Sequence, residues 1–261
     1  MKQLKSQIIS GLAQDLRFDG RKPLDWRKIE IEYGISKNAE GSARVKFGDT
    51  EVFAGVKLSI GTPYPDTPDQ GSLMVDVELS PMSSPEFETG PPDIKAIELA
   101  RVVDRGIREA KTIDMKKLCI EKGEKVWFVS IDVVTINDAG DLLDASALAA
   151  LAALKETKMP KVEDGIVKYG ELTKEALPLN KEPIAVTILK IGKFFVVDPL
   201  VEEEQEYDSR LTVTTTDETI CALQKGGDET ISIDDVEKMV EIGLEKAKEI
   251  RKHLSKAKGA K

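Results

Sequence analysis

Residues 126–157 read VWFVSIDVVTINDAGDLLDASALAALAALKET. The first ten, Val126–Thr135, are almost continuously apolar, which predicts a strand covered on both faces. Asn137-Asp138-Ala139-Gly140 breaks the run. Asp144–Thr157 then predicts a helix with six alanines in residues 145–154. A helix that small and apolar all round packs closely in an interior. A covered strand feeding a buried helix is a βα unit with layers on either side.

Working outward toward the N-terminus, Asp93–Ala110 predicts a second helix with Ile97, Ala100, Val103 and Ile107 as its apolar stripe. Before it lie extended segments at Ile29–Tyr33, Ser42–Phe47, Val52–Ile60 and Ser72–Leu79, separated by turn signals and by two Pro-rich loops, 61–71 and 81–92. Ile8, Ile9, Leu12 and Leu16 recur at helical spacing, with Gly20 as the stop. Toward the C-terminus, residues 158–183 hold Pro160, Asp164-Gly165, Pro178 and Pro183 and read as a linker. A hairpin around Gly192 follows (Ile184–Ile191, Phe194–Val197), then strands at Leu211–Thr216 and Ile220–Gln224. A helix opens at Ser232, a good N-cap, and carries Val236, Met239, Val240, Gly243, Ala247 and Ile250; residues 255–261 read as its frayed end. Both halves run from strands to an apolar helix, so the expected class is α+β, with two similar units in one chain. The expected division is 1–157, with the N-terminal helix, then 158–183 as linker, then 184–261.

Composition removes several chemistries. The chain has 261 residues, a formal charge of −9, one His and two Cys. Its longest apolar run, Ala147–Leu154, is far short of the ~20 residues of a membrane span. Residues 1–10 lack the apolar core of a signal peptide, so a cytoplasmic protein with no membrane partner is expected. One His and two distant Cys build no zinc site. A Ser-His-Asp triad would have to pass through His253 in a Lys-rich tail. Cys119 and Cys221 read as small core residues in a reducing compartment. Few Asn and Gln beside many Lys and Glu fit a thermophile's usage. The acidic balance argues against a free-standing nucleic-acid binder but allows a local basic stripe.

The motifs collected on this path resemble those of the RNase PH family of phosphate-dependent 3′→5′ exoribonucleases. They are Arg17-Phe18-Asp19-Gly20-Arg21, the stretch Gly41–Val52 with Gly48-Asp49-Thr50, the strand Val129–Val134 with Asn137–Gly140 and its Ala-rich helix, and Val197-Asp198-Pro199 with the acidic run to Asp208. The resemblance spans residues 17–255. It implies two RNase PH-like (ribosomal protein S5 domain 2-like) βα units. Residues 65–71 and Glu202-Glu203-Glu204 look like the non-catalytic subunit type of the archaeal exosome. For such a subunit the resemblance implies an alternating three-plus-three ring with a catalytic RNase PH-like subunit, a cap of RNA-binding subunits, and single-stranded RNA entering the channel. Inorganic phosphate and Mg would be used at the partner's site, with no cofactor or metal for this chain.

Two stretches decide whether the chain is itself an enzyme. Active relatives carry Gly-Ser/Thr-Arg at the helix N-terminus, where free N–H groups, a hydroxyl and a guanidinium bind phosphate. The corresponding residues here are Gly140, Asp141 and Leu142. An acid about 4 Å from phosphate repels it by ~1–4 kcal/mol, depending on the dielectric. On the residues alone, Asp141 or Asp144 simply caps the Ala-rich helix. Active relatives also carry two aspartates six residues apart, matched here by Glu202 and Asp208. Read by itself, that run is a solvated acidic loop; a catalytic pair or an incidental magnesium site is the alternative.

A third feature concerns RNA. Arg101, Arg105 and Arg108 fall at i, i+4 and i+7, on one stripe about 60° wide. Asp104–Arg108 and Arg105–Glu109 could pair on a solvated face. A stripe of forked donors also suits successive phosphates of a strand, but spacing alone favours the solvated face. The resemblance favours RNA for Arg101 and Arg105 and lends less support to Arg108. Lys246 and Lys248 read as a solvated helix face. The expected function is therefore a non-catalytic, RNA-contacting ring subunit. The alternatives are an autonomous phosphorolytic 3′→5′ exoribonuclease and a scaffold without RNA contact.

Overall fold

The computed structural model describes residues 2–163, 165–217 and 219–257. The chain opens with α1 (Lys2–Leu12), which was expected in the first unit but packs on the second, Ile8 and Leu12 against Leu189, Ile191 and Val196. The first unit runs β1 (Ile29–Tyr33), β2 (Gly41–Phe47), β3 (Thr50–Gly61), β4 (Ser72–Glu78), α2 (Ile94–Glu109), β5 (Cys119–Glu121), β6 (Lys125–Asn137) and α3 (Leu142–Glu156). A hairpin, β7 (Lys158–Glu163) and β8 (Ile166–Ala176), comes next. The second unit is β9 (Ile184–Ile191), β10 (Phe194–Val197), α4 (Val201–Glu204), β11 (Ser209–Thr216), β12 (Thr219–Gly226) and α5 (Ile233–Ala257).

The first sheet has strand order β1-β2-β3-β6-β4, with β5 also paired to β6. It is antiparallel except for β4 beside β6, where α2 makes the crossover a parallel pair requires. The second sheet, β10-β9-β11-β12, is antiparallel throughout. α3 packs on β2 and β3 on one side and on β9 on the other. Its alanines permit that double contact: Ala145, Ala149, Ala150, Ala152 and Ala153 are all fully buried. Phe47, Leu58 and Ile131 of the first unit share one continuous core with Leu151 and Leu154 of α3 and with Ile188, Val213, Met239 and Ile250 of the second. The α+β class and the two βα units stand as expected.

Several local expectations change. α1 stops at Leu12, because Leu16 N donates to Gly11 O and Asp15 N to Leu12 O, with Asp15 at φ 59°. That is a Schellman closure, and it leaves Leu16 exposed. On α2 the buried face is Ala96, Leu99, Val102, Val103, Gly106 and Ile107, while Ile97 faces outward. The stretch 158–176, read as linker, is paired β7–β8; Pro160 sits at a register shift, where a strand tolerates proline. Asp164 lies outside the described residues. α5 continues to Ala257, past the point where fraying was expected, and 258–261 lie outside the described residues. Cys119 and Cys221 are free and half-buried rather than core. Lys246 of α5 is largely buried and paired with Glu249, not solvated. No helix among the described residues is long and apolar enough to cross a membrane.

Candidate functional site

The α3 N-terminus is held by residues from both units. The chain turns through Gly140 at φ 92° and Asp141 at φ 58°. A Cβ on Gly140 would meet Pro199 O at 2.3 Å, so only glycine allows the turn to lie on the 199–201 backbone. Thr50 Oγ1 donates to Gly140 O at 2.6 Å. Arg27 donates from Nη1 to Ala139 O at 2.8 Å and from Nη2 to Gly140 O at 3.0 Å.

Behind the turn sits Asp198, fully buried. It accepts from Arg27 N at 2.6 Å, from Arg27 Nη2 at 2.5 Å and from Arg21 Nη1 at 2.7 Å. Arg17 forks onto Glu203, Nε to Oε1 at 2.9 Å and Nη2 to Oε2 at 2.5 Å, and also donates to Val197 O and Asp198 O. Glu203 in turn accepts from Leu200 N at 2.8 Å and fixes the start of α4. The Arg17–Arg21 motif and the Val197–Pro199 motif, far apart in sequence, are thus the two halves of one buried ionic network.

α4 brings Glu204 to the α3 N-terminus. Its Oε1 accepts from Asp141 N at 3.0 Å, so a carboxylate of the chain itself occupies the place where a helix N-terminus would take an external anion. Burial pushes the Glu204 carboxyl up to about 7, with Asp138 adding to the rise and the Asp141 N–H opposing it. Burial also raises Asp138. Asp144 does not cap α3. Its carboxylate reaches β9, accepting from Thr187 N and Thr187 Oγ1, both at 2.7 Å. Asp141 does not cap either: its side chain makes no cap hydrogen bond. The capping reading of these two residues is therefore corrected; the second unit has taken the Asp144 side chain, and the Asp141 carboxylate makes no hydrogen bond.

Beside the turn lies a cavity of about 210 Å³, lined by Phe87, Lys95, Asp138, Leu142, Glu204 and Arg210 among others. Its cations are already paired: Arg210 with Glu98 of α2, and Lys95 with Glu86. Leu142 presents an isobutyl group to the same space. Three carboxylates, Glu98, Asp138 and Glu204, beside two neutralised cations make a poor phosphate site.

The acidic run is not a solvated loop, since Glu203 and Glu204 turn inward. Of the two residues matched to the catalytic acids, Glu202 is exposed on α4. Asp208 is taken by Lys5 and by Gly192 N at 2.6 Å, and these contacts hold its carboxyl below the usual range against the opposing effect of burial. The two do not meet as a pair, and the acid that faces the loop is Glu204. No cluster of metal-ligating side chains occurs among the described residues. Sequence reasoning missed Arg17, Arg27, Asp198, Glu203 and Glu204 as individual residues; the Arg17–Arg21 and Val197–Pro199 motifs were the available signal.

Arg101 and Arg105 are both exposed on α2, and among the described residues neither side chain carries an ion pair. Of the two pairs that a solvated face would allow, Asp104–Arg108 forms and Arg105–Glu109 does not among the described residues. Arg108 is different: Nη2 donates to Asp104 at 2.7 Å and to Leu73 O at 3.1 Å. The open stripe therefore comprises Arg101 and Arg105, with Arg108 committed to its own domain.

Comparison with known proteins agrees with this geometry. The profile of the 3′ exoribonuclease family, domain 1, matches residues 25–160, and that of domain 2 matches 181–246. The chain is 46% identical over 244 residues to the exosome complex component Rrp42 of Methanothermobacter thermautotrophicus, covering 92% of this chain and 90% of that one. It is 47% identical to the component of the same name from Thermococcus kodakarensis, covering 98% and 96%. A chain of the Archaeoglobus fulgidus exosome, solved with RNA bound to the active site, superposes with a TM-score of 0.89 at 45% identity, covering 96% of this chain and 97% of that one. A chain of an archaeal exosome core gives 0.86 at 41%, covering 97% of each. With two matching domains in order and the expected motifs knitted into one ionic network, the chain belongs to the 3′ exoribonuclease (RNase PH) family.

Proposed function

We propose that this chain is a non-catalytic, RNA-contacting structural subunit of an exosome ring, supporting 3′→5′ phosphorolysis by a catalytic partner. The carrying observation is the occupied α3 N-terminus. Glu204 sits on Asp141 N, Asp141 stands where a hydroxyl would help and Leu142 where a guanidinium would. Phosphate entering there would meet carboxylates with no free cation. The relatives' names and the RNA in the matched structure support the assembly and substrate class.

In this reading the chain alternates with a catalytic RNase PH-like subunit in a three-plus-three ring, under a cap of RNA-binding subunits, in the cytoplasm. Phosphate and Mg act at the partner's site. The contribution of this chain is the Arg101–Arg105 stripe, two forks about one helical turn, ~5.4 Å, apart, which hold the RNA backbone in register.

The test is co-expression with the catalytic subunit, mass measurement of the assembly, and RNA degradation with and without phosphate. A three-plus-three particle that releases nucleoside diphosphates, beside an isolated chain that releases none, is the expected result. Steady release by the isolated chain supports the autonomous enzyme instead, and a partner that forms its ring alone removes the assembly role.

A further inference from the structure

The buried carboxyls at the junction of the two units outnumber the donors available to them. Asp141 and Asp144 are each 1% exposed. Neither carboxylate oxygen of Asp141 has a hydrogen-bond donor. Arg27, the nearest cation, cannot supply one. Its Nε and one Nη2 hydrogen go to Asp198, the other Nη2 hydrogen to Gly140 O, and Nη1 serves Thr50 Oγ1 and Ala139 O. All five guanidinium hydrogens are used. Arg21 is committed to Asp198 and Asp19, and Arg210 to Glu98. The remaining charged neighbours from the packed elements, Asp198, Glu204 and Asp138, are acids.

An ionised carboxylate buried without a donor is among the costliest arrangements a fold can hold. A protonated one becomes its own donor. Asp144, three residues on along α3 and equally buried, is the acceptor that a proton on Asp141 would serve. Asp144 is the better anion of the two, because Thr187 N and Oγ1 both donate to it from β9.

We propose that Asp141 and Asp144 share one buried proton, carried by Asp141 and donated to Asp144, and that this proton latches the α3 N-terminus of the first unit to β9 of the second. The chain Asp141–Asp144–Thr187–Thr212 then crosses from α3 to the middle of the second sheet, Thr187 Oγ1 lying 3.0 Å from Thr212 Oγ1. The pair titrates as one site, raised by burial and by the neighbouring acids. The folded chain keeps the proton from the carboxylate range up to near neutral pH, where the unfolded chain has lost it. The stability this site contributes is complete at low pH and is lost as pH rises through the folded value.

Asp141→Asn tests it. Asn tolerates φ 58° and carries a permanent donor toward Asp144. Between pH 5 and pH 7 the unfolding constant of the wild-type chain, relative to that of Asp141→Asn, should rise about tenfold per pH unit, the signature of one retained proton. With the Glu204 carboxyl removed by Glu204→Gln, the infrared carbonyl band of a protonated carboxylic acid should still be present at pH 6.5, and it should vanish when Asp141→Asn is added to Glu204→Gln. A ratio independent of pH overturns the proposal. Should Asp141→Asn not fold, the Glu204→Gln chain decides alone, since the absence of the band at pH 6.5 overturns the shared proton.

Discussion

Arg17 and Glu203 face each other inside the protein as a two-point fork, Nε to Oε1 at 2.9 Å and Nη2 to Oε2 at 2.5 Å, with 0% and 2% of their side chains exposed. Removing one member strands the other charge in the interior. Arg17→Met should therefore cost ~3–5 kcal/mol in urea unfolding. Arg17→Lys should recover little of this, since an ammonium cannot fork. Arg17→Met with Glu203→Met should be more stable than either single variant. Additive losses would show that the two residues act separately.

Glu204 makes a second prediction about the absent phosphate site. Restoring the hydroxyl and guanidinium by Asp141→Ser with Leu142→Arg should not restore anion binding while Glu204 still sits on the 141 N–H. Adding Glu204→Ala should free that donor. Titration calorimetry with inorganic phosphate should then show binding only in the triple variant. Binding by the double variant would mean the Glu204 carboxylate is no obstacle.

The same carboxyl sets a pH dependence. Its folded value of about 7 lies above the ~4.3 of an unfolded glutamate, with burial as the main cause. The folded chain binds the extra proton between those values, so the stability this group contributes is complete below ~4.3 and falls as pH rises through 7. Glu204→Gln keeps an acceptor for Asp141 N and never ionises. Its stability relative to the wild type should increase from pH 5 to pH 8 by about 1–3 kcal/mol, discounted for partial access of water. An unchanged difference would place the Glu204 charge in solvent.

Periodicity made most strands and helices legible. Val126–Thr135 is nearly the whole of β6, and the alanines of 145–154 mark the helix that both sheets share. The β7–β8 hairpin was hidden because Pro160, read as a breaker, sits at a register shift. The site was legible as motifs and not as partners. Nothing in the sequence says that Arg17 meets Glu203 rather than Asp198, or that Glu204 turns inward while Glu202 stays outside. Those choices depend on α4 being one short turn packed on the Gly140 backbone, a long-range fact. Asp144 shows the same limit: its type and place suit a cap, yet the β9 backbone 43 residues away binds it instead.

The arginine stripe carries the prediction closest to function. Arg101 and Arg105 are exposed and without ion pairs among the described residues, whereas Arg108 is held by Asp104 and Leu73 O. In the assembled ring, Arg101→Ala with Arg105→Ala should weaken binding of single-stranded RNA by ~10–100-fold, since charge-assisted bonds contribute ~1.5–3 kcal/mol each before losses to solvent and non-additivity. The slope of log affinity against log salt should become shallower by ~0.7 for each RNA phosphate that the variant leaves unneutralised. Arg108→Ala should change RNA affinity less, because its guanidinium already has partners. Lys161→Ala with Lys168→Ala, on the exposed β7–β8 hairpin where each lysine pairs with a glutamate, is the control and should leave affinity and slope unchanged. Fluorescence anisotropy over a salt series, with ring integrity checked by sedimentation, reads all of this. A double variant that assembles normally, binds like the wild type and keeps its salt slope would make the stripe a solvated face and the chain a scaffold.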